Sequence, residues 1–152
     1  MTLLGGGGFI TLAMGNQEFA IDARKSSWVY IADSDIEVSR SIQLLLNAEG
    51  ISVRVFKTGK LLLATAIKIP PSCIIVDASL PDIDGPCILA RLREHSIQVP
   101  VIMLISSSGE SIPDGIAHAV KSLKAGAWDY FEKPFMQRRL VDRVERAINQ
   151  HH

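Results

Sequence analysis

The chain reads as an α/β domain, a (βα)5 doubly wound arrangement with a five-stranded parallel sheet covered by helices on both sides. Three observations carry that expectation. Strand-like and helix-like segments alternate five times between Trp28 and Asn149. Two of the strand segments, Cys73–Val76 and Val99–Ile105, are apolar without interruption, as strands buried on both faces are. The whole chain has 152 residues, of which 47% are hydrophobic and 21% charged. A single domain of that length buries roughly two thirds of its unfolded surface and needs no disulfide or metal to hold a core.

The elements follow in order. Trp28–Ala32 is a short apolar strand ending in the polar cluster Asp33-Ser34-Asp35. An amphipathic helix follows, with Ile36, Ser39, Ile42, Leu45 and Leu46 on one face, and stops at Gly50. Ile51–Phe56 alternates as a strand, and Gly59–Lys68 is a helix that ends before Pro70-Pro71. Cys73–Val76 is the third strand, Gly85–His95 the third helix and Val99–Ile105 the fourth strand. Ile112, Ile116, Ala119, Val120 and Leu123 keep helical spacing up to Gly126. Trp128–Phe131 is the last strand, and Pro134 opens a final helix with Leu140, Val141, Val144 and Ile148 inward.

Sixteen basic residues cancel sixteen acidic ones. That balance offers no basic footprint for nucleic acid or an anionic membrane. No stretch reaches the roughly 18 uninterrupted apolar residues of a membrane span, and a cytoplasmic location is expected. Cys73 and Cys87 both lie among apolar neighbours without zinc or disulfide spacing, and are expected as small buried hydrophobes. Residues 1–26, with the run Gly5–Gly8, are expected as a flexible lead-in rather than a signal peptide. The domain proper is placed at 27–150.

Chemistry in open parallel sheets gathers outside the carboxyl ends of the strands. Here the first strand ends in Asp33-Ser34-Asp35, the third in Asp77, the fourth in Ser106-Ser107-Ser108 and the fifth in Glu132-Lys133-Pro134. A carboxylate directly after buried β-branched residues is informative, because isolated burial of charge is expensive. Two carboxylates brought together repel unless a cation lies between them or one takes a proton. Oxygen ligands of this kind suit Mg²⁺, which keeps waters for a phosphate, and a lysine adds a point charge for the same anion. Asp77 is thereby the candidate nucleophile of a phosphate-handling site. Asp82 and Asp84, within Leu80-Pro81-Asp82-Ile83-Asp84-Gly85, are explained by turn and helix-cap chemistry.

The segment Trp28 to Asn149 resembles the receiver domain of two-component response regulators, the CheY-like (flavodoxin-like) fold with strand order 2-1-3-4-5. Asp77-Ala78-Ser79-Leu80-Pro81-Asp82-Ile83-Asp84-Gly85 matches the family's acceptor Asp with Pro four and Gly eight residues on. Lys124-Ala125-Gly126-Ala127-Trp128-Asp129-Tyr130-Phe131-Glu132-Lys133-Pro134-Phe135 matches its last strand. The resemblance implies that Asp77 accepts a phosphoryl group from a histidine kinase. Mg²⁺ would be held by Asp33, Asp77 and the backbone carbonyl of Ser79, with Asp35 substituting if its loop shifts. Lys133 and Ser106 would bind the phosphoryl oxygens. Tyr130 would be the switch that alters the face of the fourth helix, fifth strand and fifth helix, and with it partner affinity or homodimerisation. That makes a signalling domain rather than an enzyme, apart from slow self-dephosphorylation. The last-strand motif resembles receivers joined to LuxR/FixJ-type or NtrC-like output domains. The chain stops just after its last helix, so control of transcription would belong to an output domain or downstream protein, and this segment would not touch nucleic acid.

Departures from the family pattern are as specific as the matches. The family has two adjacent acids after the first strand, where this chain has Asp33 and Ser34, so Mg²⁺ binding should weaken. Counting without a gap from Pro100 puts Ile105 where the family has Thr or Ser, with Ser106 next. The stretch Ser106–Ile116 is longer than usual, an enlargement at the mouth of the site. These departures support an alternative, a phosphorylation-independent pseudo-receiver that serves as a protein interaction module.

Overall fold

A computed structural model of the chain describes residues 2–6, 9–14, 16–22, 27–106, 123–124 and 126–151. Three short strands come first: β1 (Thr2–Gly6), β2 (Phe9–Met14) and β3 (Gln17–Asp22). They form an antiparallel sheet in the order β1-β2-β3, with Gly6 opposite Phe9 and Met14 opposite Gln17. The described part of the lead-in expected over residues 1–26 thus contains these three strands. Two residues of the sequence, Gly7-Gly8 and Gly15-Asn16, lie between each pair of successive strands.

The βα portion follows. It comprises β4 (Trp28–Ala32), α1 (Ile36–Ala48), β5 (Ser52–Phe56), α2 (Gly59–Lys68), β6 (Cys73–Asp77), α3 (Gly85–Glu94), β7 (Val101–Ser106), β8 (Asp129–Lys133) and α4 (Gln137–His151). The five strands are parallel, in the order β5-β4-β6-β7-β8. This is the expected 2-1-3-4-5 arrangement. The expected helix over Ile112–Leu123 and the long stretch after Ser106 lie outside the described residues, save that Leu123 and Lys124 are helical.

Local chemistry starts the first three helices. Asp35 accepts the Glu37 N–H at 3.0 Å to cap α1, Thr58 accepts the Leu61 N–H at 3.1 Å to cap α2, and Asp84 accepts the Cys87 N–H at 2.8 Å to cap α3. α1 yields to β5 through Gly50, whose φ of 81° suits glycine. Several boundaries differ from expectation, β8 for example running from Asp129 to Lys133 rather than Trp128 to Phe131. β7 starts at Val101 rather than Val99, because Pro100 has no N–H to donate to a ladder. α4 starts at Gln137 rather than Pro134, which follows a cis peptide bond.

Strand alternation divides the core into two layers. Tyr30, Ala32, Ile74, Val76, Val101, Met103 and Ile105 join Leu62 and Ala66 of α2 and Ile88, Leu89 and Leu92 of α3. Val29, Ile31, Cys73, Ile75, Ile102 and Leu104 join Ile42 and Leu46 of α1 and Leu140, Val141, Val144 and Ile148 of α4. Within α1 the inward face is narrower than expected: Ser39, Ile42 and Leu46 are buried, but Ile36 is exposed. Cys73 is buried, and desolvation pushes its thiol up to about 12. Cys87, expected inside, is exposed, because Ile88, Leu89 and Leu92 fill the inward face of α3.

Candidate functional site

The same alternation assembles the site. Asp33 continues the series Val29, Ile31; Asp77 continues Cys73, Ile75; Ser106 continues Ile102, Leu104; and Lys133 follows Phe131, which packs on that layer. All four residues therefore leave their strands on the α1/α4 side of the sheet. Parallel register sets Ser106 beside Lys133 and Asp77 beside Leu104.

Asp77 is 2% exposed and Asp33 6% exposed, so two carboxylates are withdrawn from water side by side. The Lys133 ammonium answers both, at 2.6 Å from Asp33 Oδ2 and 3.3 Å from Asp77 Oδ2. Burial raises the Asp33 carboxyl above its usual range, the Lys133 hydrogen bond opposes that, and the Asp77 charge adds to the rise. For Lys133, desolvation alone would lower the ammonium, but its contacts with Asp33 and Asp77 outweigh burial and raise it. One lysine thus stands against two carboxylates, leaving the site one negative charge in excess.

The remaining contacts of Asp77 come from its neighbours in sequence and space. Its Oδ1 accepts the Ser79 N–H at 2.9 Å, and its Oδ2 accepts the Ser34 hydroxyl at 3.3 Å. Asp33 Oδ1 accepts the Asp35 N–H at 2.8 Å, whereas Asp35 turns its own carboxylate to the N-terminus of α1. Asp33, Asp77, Ser79, Ser34 and Lys133 are therefore brought together, while Asp35 is engaged in capping. Ser106 is exposed and lines a cleft of about 520 Å³ with Lys133, Pro134, Phe135 and Asp35. Ile105 is buried in the opposite layer with Val101 and Met103. Tyr130 lies on β8 with 36% of its surface exposed.

The loop after β6 is held from below. Asp82 accepts the N–H groups of Gly59 at 3.1 Å and Lys60 at 2.8 Å, tying the loop to the start of α2. Its slight burial works against ionisation, but these backbone donors win and hold its carboxyl below the usual range. Gly85 donates its N–H to the Ala78 carbonyl at 3.0 Å. A Cβ on Gly85 would meet Met103 Sδ at 2.6 Å and the Ala78 Cα at 3.0 Å, so only glycine lets α3 approach this closely. The capping role expected of Asp84 is seen. The clamp from Asp82 onto α2 spans 22 residues to Lys60, and the sequence carries no signal for a contact that distant. The Ser34 contact with Asp77 likewise joins residues 43 apart.

These donors fit Mg²⁺. Asp33 Oδ2 and Asp77 Oδ2 are both buried and share a single cationic partner, Lys133, so their combined negative charge favours a further cation. Among the described residues no group of three or more Asp, Glu, His or Cys side chains is placed to hold a metal. A cation here would rest on two carboxylates plus backbone and water oxygens, which is the manner of Mg²⁺ rather than of a metal needing a closed protein cage.

Residues 29–145 match the model of the response regulator receiver domain. The response regulator protein TodT of Pseudomonas putida is 32% identical over 124 residues, which cover 82% of this chain and 52% of TodT. The transcriptional regulatory protein FixJ of Rhizobium meliloti is 30% identical over 119 residues, covering 78% of this chain and 55% of FixJ. The chain thus spans about half the length of the curated relatives it matches. Among solved structures, the receiver domain of the Francisella response regulator 1452 superposes with a TM-score of 0.73 at 28% identity, over 83% of this chain and 99% of that one. A five-stranded 2-1-3-4-5 sheet, an acid-and-lysine cluster at its carboxyl edge and a family match across most of the chain agree: this chain belongs to the receiver domains of two-component response regulators.

Proposed function

We propose that Asp77 is the phosphoacceptor of this receiver domain and takes its phosphoryl group from a phosphohistidine of a histidine kinase. The observation that carries the reading is Lys133, whose ammonium lies 3.3 Å from the Asp77 carboxylate and 2.6 Å from Asp33. A carboxylate oxygen of Asp77 attacks phosphorus, the P–N bond breaks with its electron pair going to the imidazole nitrogen, and that nitrogen then takes a proton from water. Asp33, Asp77 and the Ser79 carbonyl would hold Mg²⁺, which supplies charge neutralisation for the transferring group. Lys133 pairs with the phosphoryl oxygens, and Ser106, opposite it in the sheet, is positioned to donate a hydroxyl from the rim. Tyr130, half out of the surface on β8, is the switch element, and its face meets an output domain, a downstream protein or a second copy. The segment works in the cytoplasm, without contacting nucleic acid itself.

The test is a Mg²⁺ titration with and without beryllofluoride, a phosphoryl mimic, followed by fluorescence of Trp128 and Trp28. A saturable, Mg²⁺-dependent change in the wild type that Asp77→Asn removes supports the reading. A folded wild type silent at millimolar Mg²⁺ defeats it and favours a second reading, a phosphorylation-independent interaction module. The buried Ile105, which has no hydroxyl to offer, is the observation in favour of that alternative.

A further inference from the structure

The two oxygens of Asp77 are not equivalent. Oδ1 is held by a backbone donor, the Ser79 N–H at 2.9 Å. Oδ2 faces two side-chain donors, the Lys133 ammonium and the Ser34 hydroxyl, each at 3.3 Å. Side chains can follow an oxygen that moves outward, and a backbone amide fixed in a turn cannot. On β7, Leu104 pairs with Asp77 in the register, Ile105 points into the other core layer, and Ser106 is exposed at the rim. Among the described residues, Ser34 is the hydroxyl that contacts Asp77.

From this we infer that Ser34 is a phosphoryl-binding residue, which selects Asp77 Oδ2 as the attacking oxygen and then transfers its hydrogen bond to the incoming phosphoryl group. The inference rests on the reading of Asp77 as phosphoacceptor. Its chemistry is simple. When the new P–O bond forms at Oδ2, that oxygen loses most of its negative charge, and the charge appears one bond further out on the phosphoryl oxygens. A donor already aimed at Oδ2 has only to rotate outward to follow it. An acid at this position would instead face the dianion with like charge and need a cation between them. A hydroxyl donates directly, at the cost of one negative charge fewer to attract Mg²⁺. Ser34 thereby adds a hydroxyl from the β4–α1 loop to the one that Ser106 offers at the rim.

The experiment measures two affinities on the full chain: Mg²⁺ alone, and beryllofluoride at saturating Mg²⁺. Ser34→Ala is expected to weaken beryllofluoride about tenfold, as loss of a hydrogen bond to a charged group does, and to leave Mg²⁺ affinity within about twofold. Ser34→Thr is expected to restore beryllofluoride binding. Ser34→Asp is expected to tighten Mg²⁺ without restoring beryllofluoride. Because Ser34 is exposed, these variants keep the fold. Beryllofluoride binding to Ser34→Ala at wild-type strength overturns the inference and leaves the Asp77 reading standing. So does a parallel loss of Mg²⁺ affinity in Ser34→Ala, which would make Ser34 a metal ligand. A wild type that binds no beryllofluoride overturns both.

Discussion

The two flanks of Asp77 are built in different ways. On the β6–α3 flank the chain is fixed by short-range chemistry: the Ser79 N–H on Asp77, the Ala78 carbonyl on Gly85, Asp84 capping α3 and Asp82 gripping α2. Every one of those contacts involves backbone on at least one side. On the β7–β8 flank the contacts to the carboxylates are made by a single long side chain, Lys133, with Ser106 exposed beside it. The first flank fixes the position of Asp77 through backbone, and the second touches it through a side chain. Of the departures from the family pattern, Ile105 lies on the second flank and Ser34 on the β4–α1 loop, whereas the matching Pro81 and Gly85 lie on the first. Side-chain donors can be supplied from another strand, but a close backbone approach cannot.

The comparison can be broken most severely at Lys133. Lys133→Met removes the ammonium and leaves Asp33 and Asp77 buried with like charge, so stability at neutral pH should fall by about 3 kcal/mol. Urea unfolding in a chelator would read the loss, and millimolar Mg²⁺ should return part of it. The raised Lys133 ammonium contributes its stabilisation below the usual lysine range and loses it as pH rises through its folded value. The gap between wild type and variant should therefore close in strong alkali. A variant as stable as the wild type in chelator would mean that the second flank carries no structural charge.

A smaller effect is expected on the fixed flank. Gly85→Ala drives a methyl against Met103 and the Ala78 backbone, and should cost about 2 kcal/mol as overpacking does. Thermal unfolding reads it, and beryllofluoride affinity should fall too, because Ala78 adjoins the acceptor. The smallest effect belongs to Asp82→Ala, which strips two backbone donors of their acceptor at a solvent-washed site and should cost at most about 1 kcal/mol. The Asp82 carboxyl is lowered in the folded state, so its contribution is present above the usual carboxylate range and is lost as pH falls through its folded value. Urea midpoints of wild type and Asp82→Ala should therefore converge in acid and separate at neutral pH.

Much of this was legible in the sequence because it is written locally. The buried strands declare themselves by uninterrupted apolar runs at Cys73–Val76 and Val101–Ile105, and the cap Asp84 marks a helix start within three residues of its partner. Asp33, Asp77 and Lys133 could be grouped because all three end strands of one parallel sheet. Less legible were features decided by distant partners. Asp82 reads as a turn residue until Gly59 and Lys60 arrive beneath it, and Ser34 reads as a lost acid until Asp77 stands beside it. Cys87 has the same apolar neighbours in sequence as Cys73, and only the rotation of α3 separates an exposed thiol from a buried one.

The strand order has a mechanical consequence. Asp77 hangs from the middle strand of five, laced to a neighbour along both margins, whereas Lys133 terminates β8 at the outside of the sheet with β7 as its ladder partner. The carboxylate is thus braced by ladders on two sides and the ammonium by a ladder on one, and Tyr130 projects from that same outer strand.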